Sequence, residues 1–150
     1  MSENLDKARD YVDAYNARDF DRATRWFAPA VEWILPERQG FDSCVGAGPI
    51  RRFWEGLDET FDELTLLPQE WVDAGERIAT RLRHRVVGKG SGVALDDVLY
   101  HQVITFVDGW MVRPEYFVEW DEAPAVSGYT YRAEPRSVVL LFAPIGGSHL

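Results

Sequence analysis

The sequence predicts one α+β domain, with three N-terminal helices packed on a strongly bent antiparallel sheet. Three observations carry that prediction. The chain has 150 residues, the size of a single domain, and such a domain buries about 70% of its extended-chain surface. Apolar residues recur at helical spacing as far as Phe61, and from residue 63 the period shifts to strict alternation. Helices followed by a run of strands make an α+β plan, and a bent sheet wrapped on helices encloses a pocket.

Residues 3–18 read as the first helix, because Leu5, Ala8, Val12 and Tyr15 fall on one face with Tyr11 beside them. Asn16-Ala17-Arg18-Asp19 breaks it. Asp19 or Asp21 then caps a second helix through Ala23, Trp26 and Phe27, which Pro29 closes. Val31 to Leu35 is strand-like, and a polar loop follows from Pro36 to Gly48. Pro49 stands where a first-turn proline belongs, opening a helix through Ile50, Phe53, Trp54, Leu57 and Phe61.

Strands are expected near 64–73, 77–88, 93–107 and 110–119. Asp73-Ala74-Gly75-Glu76 marks one hairpin turn. Val107-Asp108-Gly109-Trp110 marks another, the Asp-Gly pair being a strong turn signal. Gly88-Lys89-Gly90-Ser91-Gly92 makes a third; it is not a phosphate loop, since no helix follows and the Lys-Ser/Thr ending is missing.

Composition excludes several classes. The apolar fraction is 46% and the charged fraction 27%, which rules out wholesale disorder. Twenty-five acidic against 16 basic residues give a net charge of −9, which repels phosphate backbones and argues against a nucleic-acid partner. The one dense basic run, Arg77 to Arg85, alternates with apolar residues and so reads as the solvent side of a strand. Cys44 is the single cysteine, so neither an intrachain disulfide nor a cysteine zinc cluster can form. The acidic start, Met1 to Asp6, is unlike a signal peptide, and the longest apolar run, Val138 to Ile145, is too short to span a bilayer. These features predict a soluble, cytoplasmic chain with no membrane partner. Six Trp, 6 Tyr and 8 Phe leave two readings open: an aromatic core, or an aromatic-lined cavity.

Several local signatures occur in a telling order. They are Tyr11-Val12-Asp13-Ala14-Tyr15-Asn16-Ala17-Arg18-Asp19-Phe20-Asp21, Gly48-Pro49-Ile50-Arg51-Arg52-Phe53-Trp54, Asp73-Ala74-Gly75-Glu76-Arg77, Ser91-Gly92-Val93, and Phe106-Val107-Asp108-Gly109 with Pro114-Glu115-Tyr116-Phe117. Together they resemble the SnoaL-like branch of the nuclear transport factor 2-like (cystatin-like cone) superfamily over residues 5–123. The resemblance implies a domain at 1–123 whose cone mouth holds a ligand, and a homodimer formed through the outer sheet face. Residues 124–150 depart from the family pattern, because Pro124 follows Asp121-Glu122-Ala123 where a relative continues into a short helix. This extension is expected to pack on the same domain or on a partner subunit, since Val138 to Ala143 is too apolar to leave in water.

Strand parity then nominates the inner face. On the strand at 77–88 it takes Ile78, Thr80, Leu82, His84 and Val86. On the next it takes Val98, Tyr100, Gln102, Ile104 and Phe106, and on the last Met111, Arg113, Glu115 and Phe117. Trp33 and Leu35 join from the first strand, and Tyr11 and Tyr15 from the first helix. His101 has the opposite parity and is expected on the outer face.

The resemblance offers three enzymatic templates. A ketosteroid isomerase needs a carboxylate base where this chain has Leu35, and an acid donor where it has Gln102, although Tyr11 matches the tyrosine. A limonene-type epoxide hydrolase needs an Arg-x-Asp pair where Leu82 and His84 stand, and an aspartate at Glu115. A SnoaL-type polyketide cyclase asks only for one acid/base group in an apolar pocket, which His84 or Glu115 could supply.

The expected function is therefore cofactor-independent acid/base chemistry, namely cyclisation, isomerisation, dehydration or epoxide opening, on a small, mostly apolar or amphipathic compound. Glu115 and His84 are the candidate proton movers, with Tyr11, Tyr15, Trp33, Tyr100, Gln102 and Arg113 contacting the substrate. No metal site is expected, because the three histidines are far apart and no carboxylate stands at ligand spacing. No cofactor is expected either. The alternative is a non-catalytic ligand-binding or dimerisation module, in which His84 and Gln102 are hydrogen-bonded core residues and Glu115 pairs with an arginine.

Overall fold

The computed structural model describes residues 2–34, 43–88, 90 and 94–117, with the backbone alone over 94–100. Leu35, most of the Pro36–Gly48 loop, the Ser91-Gly92-Val93 motif, the extension at 124–150 and the side chain of Tyr100 therefore lie outside the described residues.

Helix α1 (Glu3–Asn16) starts where Ser2 accepts a hydrogen bond from the Leu5 amide, and it buries Leu5, Ala8, Tyr11, Val12, Ala14 and Tyr15. It stops two residues short of the expected end. The reason is Asn16, whose side-chain amide turns to the sheet, donating to the Leu66 carbonyl at 2.9 Å and accepting from the Leu66 amide at 2.8 Å. Helix α2 (Phe20–Ala23) is capped by Asp19 and ends well before Phe27. There the backbone takes sheet partners instead: Met111 donates to the Trp26 carbonyl and Ala28 donates to the Met111 carbonyl. Strand β1 (Glu32–Trp33) pairs with β2 (Cys44–Val45), a short pairing within the stretch read from sequence as loop. Helix α3 (Ala47–Thr60) carries Pro49 in its first turn, as expected.

Four long strands follow: β3 (Phe61–Asp73), β4 (Arg77–Gly88), β5 (Ala94–Val107) and β6 (Trp110–Phe117). They form one antiparallel sheet in the order β3-β4-β5-β6. Each pairing carries a register shift, and bulges of this kind bend a strand and tighten its twist. Both Asp108 and Gly109 have positive φ, the geometry of the tight two-residue hairpin turn that Asp-Gly predicts.

The concave face packs on the helices. Leu64, Leu66, Ile78, Leu82, Val86, Ile104, Phe106, Met111 and Tyr116 join α1 and α3 in one core. Trp54 of α3 lies at its centre, with ring centroids 5.3 Å from Tyr15, 5.4 Å from Phe20 and 6.0 Å from Trp33. A smaller cluster, Ala79 and Val103 with Val72, Ala74 and Phe117, lies on the outer face. His101 belongs to that outer row, as expected, but it is buried there. No helix among the described residues is long and apolar enough to cross a membrane.

One register shift corrects the parity read from sequence. Met111 stands opposite Phe106 on the core side, whereas Arg113 stands opposite Thr105. Val112 is thus an extra residue, and everything beyond it swaps faces. Pro114 and Tyr116 turn inward, while Arg113, Glu115 and Phe117 turn outward.

Candidate functional site

The interior polar group is assembled from four elements. Tyr11 and Tyr15 stand four residues apart on α1 and so share the face that meets the sheet. Gln102 enters from β5, opposite Thr80 of β4 and Tyr116 of β6. Trp33 enters from β1, its ring edge-on to Tyr116 at 5.5 Å and to Trp54 at 6.0 Å. All of these side chains are buried.

The Tyr11 hydroxyl is the hub. Gln102 donates to it through Nε2 at 3.5 Å, and the Tyr116 hydroxyl and the Trp33 indole also face it. Those donors favour the phenolate, but burial outweighs them and holds the Tyr11 proton on, above its ordinary value of 10.0. Burial raises Tyr15 in the same way. Both therefore remain neutral hydroxyls that can donate or accept. One buried atom in this group, Gln102 Oε1, lacks a protein hydrogen-bond partner. Thr80 is satisfied differently, donating to the Glu70 carbonyl at 2.8 Å, where β3 is bulged.

His84 also faces inward, opposite Leu66 on β3 and Val98 on β5. It is buried, and desolvation holds its imidazole well below the ordinary 6.5, so the neutral form prevails at pH 7. Four residues separate it from Thr80, a run of about 13 Å along an extended strand. The Tyr11–Gln102 group and His84 thus mark two ends of one concave surface.

Glu115 and Arg113 are not part of it. Glu115 is half-buried on the outer face; desolvation raises its pKa and Glu32 adds to this, while Arg113 and Arg77 oppose it. Arg113 bonds Glu32 at 3.1 Å. The expected acid/base pair is therefore separated: Glu115 lines up through Val103 with Ala79, five residues from His84 and on the opposite face. The fold brings together Tyr11, Tyr15, Trp33 and Gln102 of the expected set and adds Tyr116 and Trp54. Tyr116 was legible in principle. Pro114 and Tyr116 form an apolar pair out of phase with Met111, and a one-residue slip after Met111 unites them on one face. Among the described residues, no group of three or more His, Cys, Asp or Glu could hold a metal ion.

A protein-family model described as a SnoaL-like domain matches residues 8–113. An NTF2-like protein of unknown function from Burkholderia pseudomallei is similar at 25% identity and a TM-score of 0.72, over 78% of this chain and 91% of its own. TerC, co-crystallised with polyporic acid, is similar at 22% identity and a TM-score of 0.71, over 77% and 91%. A proposed SnoaL-like polyketide cyclase from Jannaschia sp. CCS1 has 20% identity and a TM-score of 0.67, over 78% and 88%. The last two likenesses carry the fold alone. No curated protein matches the chain.

Proposed function

Because this chain belongs to the SnoaL-like domain family, we propose that its cone binds a small, mostly apolar compound and performs cofactor-independent acid/base chemistry on it. The observation that carries this reading is the Tyr11–Gln102–Trp33–Tyr116 group, a buried polar cluster walled by aromatic rings. Such a niche fixes one oxygen of a ligand while the apolar wall takes up its carbon skeleton. His84 is the proton mover in this reading. A buried neutral imidazole can take a proton from carbon or oxygen as charge develops. The reaction is a cyclisation, isomerisation, dehydration or epoxide opening. Glu115, turned outward by the Val112 bulge, has no part in it. The same reading has the chain pairing as a homodimer.

The test is turnover of a panel of cyclic ketones, phenols and epoxides by the parent protein and by His84→Gln. Loss of about 10²- to 10⁴-fold in kcat, with KM little changed, supports the assignment. Binding without turnover of any panel member by the parent protein would make the chain a binding module instead.

A further inference from the structure

The outer face of the sheet is buried at its centre, where an open face would be wet. Along β4, Ile78, Ala79 and Thr80 are all buried, and along β5 so are His101, Gln102, Val103 and Ile104. Neighbours on a strand point to opposite faces, so an unbroken buried run means a sheet covered on both sides. Helices α1 and α3 cover the concave side. On the other side, the apolar residues packed on Ala79 and Val103 are Val72, Ala74 and Phe117, which belong to the sheet itself or to its first hairpin turn. Register sets Val72, Ala79 and Val103 in one row of short side chains across three strands, ending at Glu115. Longer side chains flank that row: Arg81, His101 and Phe117 on one side, Arg77, Thr105 and Arg113 on the other. The result is a shallow apolar trough with a basic rim. Desolvation of half-buried Glu115 marks its far end.

We propose that the C-terminal extension of the same chain docks in this trough through residues 138–143. The chain itself leads there, since β6 ends at Phe117, on the rim opposite His101. Residues 118–137 then separate Phe117 from Val138. A linker of that length reaches any point of a four-stranded sheet about 14 Å wide. The stretch Val138-Val139-Leu140-Leu141-Phe142-Ala143 carries no polar side chain. Extended, it runs about 20 Å, enough to cross all four strands. Docking there takes it out of water. Charge favours this occupant over a second copy of the sheet. Arg77, Arg81 and Arg83 all stand on the outer side of β4, so two such faces would set like charges against each other. The extension brings acid instead, with Glu119, Asp121 and Glu122 close behind β6. The homodimer of the reading above then forms through another surface, not through this sheet face.

Photo-cross-linking in the full chain tests this. With Cys44→Ser removing the native thiol, Glu70→Cys and Arg113→Cys each carry a benzophenone maleimide at an exposed rim position, on β3 and β6 respectively. Irradiation should join the labels to residues 138–143 at the mass of one chain, as read by peptide mass spectrometry. Links to the sheet of a second chain would overturn the proposal and make this face a dimer interface. Links to the extension of a second chain would overturn the intrachain assignment, and no link to 138–143 would overturn it outright. Thiol reactivity supplies the magnitude. Ala79→Cys in the Cys44→Ser chain should react with a water-soluble disulfide reagent at least about tenfold faster once Leu140→Asp and Leu141→Asp are added, because two carboxylates cannot stay in an apolar trough. An unchanged rate in that folded variant would also overturn the proposal. The cross-links use the unaltered extension and stand even if the variant fails to fold.

Discussion

Glu115 stands directly opposite Val103, on the sheet face turned away from the helices. One extra residue, Val112, puts it there. Without that bulge, Glu115 and Arg113 would continue the Met111 row into a core of Trp33, Trp54 and Phe106. Burying a carboxylate and a guanidinium there would cost several kcal/mol per ion. The bulge thus keeps the charged half of β6 wet while its apolar half completes the interior.

The first prediction concerns Glu115 itself. Burial raises its pKa above 4.5, so the folded chain binds this proton more tightly than the unfolded chain does. The stability it contributes is present below the ordinary carboxylate range and lost as pH rises through the folded value. Glu115→Gln should accordingly be as stable as the parent at pH 7, or more stable by less than about 1 kcal/mol, the charge being partly solvated. Urea unfolding at pH 7 and pH 4 checks this, with any gain vanishing at the lower pH. Turnover should fall by less than about tenfold, below the range expected for a general acid or base.

His84 titrates in the other sense. Its folded pKa lies well below 6.5, so the unfolded chain binds the proton more readily. The stability from the neutral buried ring is present above pH 6.5 and lost as pH falls below it toward the folded value. The loss should run at up to about 1.4 kcal/mol per pH unit. His84→Leu keeps an apolar side chain at the site and should flatten this part of the profile. Unfolding curves at pH 7.5 and 5.5 decide it; an unchanged slope in the variant would mean that the folded chain binds this proton as readily as the unfolded chain does.

Asn16 gives a third test. Its amide holds both backbone groups of Leu66, acting as the strand that β3 lacks on its outer edge, and Arg18 adds a bond to the Leu64 carbonyl at 3.0 Å. Asn16→Ala should destabilise the chain by about 1–3 kcal/mol, because two β3 backbone groups lose their partner. Asn16→Asp should recover part of that, since a carboxylate still accepts from the Leu66 amide. Denaturant midpoints of the three proteins give the answer.

Much of the fold was legible because it rests on local periodicity. The helical face of Tyr11 and Tyr15 and the alternation from Ile78 to Val86 each follow from the sequence within one element. So does the Asp108-Gly109 turn. Ile78, Thr80, Leu82, His84 and Val86 are all buried as expected, although Ala79 on the other face is buried as well. The pairing of Cys44 with Trp33 was not legible, because two-residue strands carry no period to read. Nor was the end of α2, where Met111, far along the chain, competes for the backbone of Trp26 and Ala28.

The candidate site divides the same way. The sequence by itself determined the fold class, the family, and the inward direction of Gln102, His84 and the two α1 tyrosines. Each of those directions depends on the periodicity of a single element. Only the tertiary structure decided which of them meet, because meeting depends on register between strands, and register changes with a single bulge. That is why Tyr116, rather than Glu115, enters the interior from β6, beside the Tyr11 hydroxyl. It is also why His84 and Glu115, plausible partners by chemistry, lie on opposite faces of the sheet.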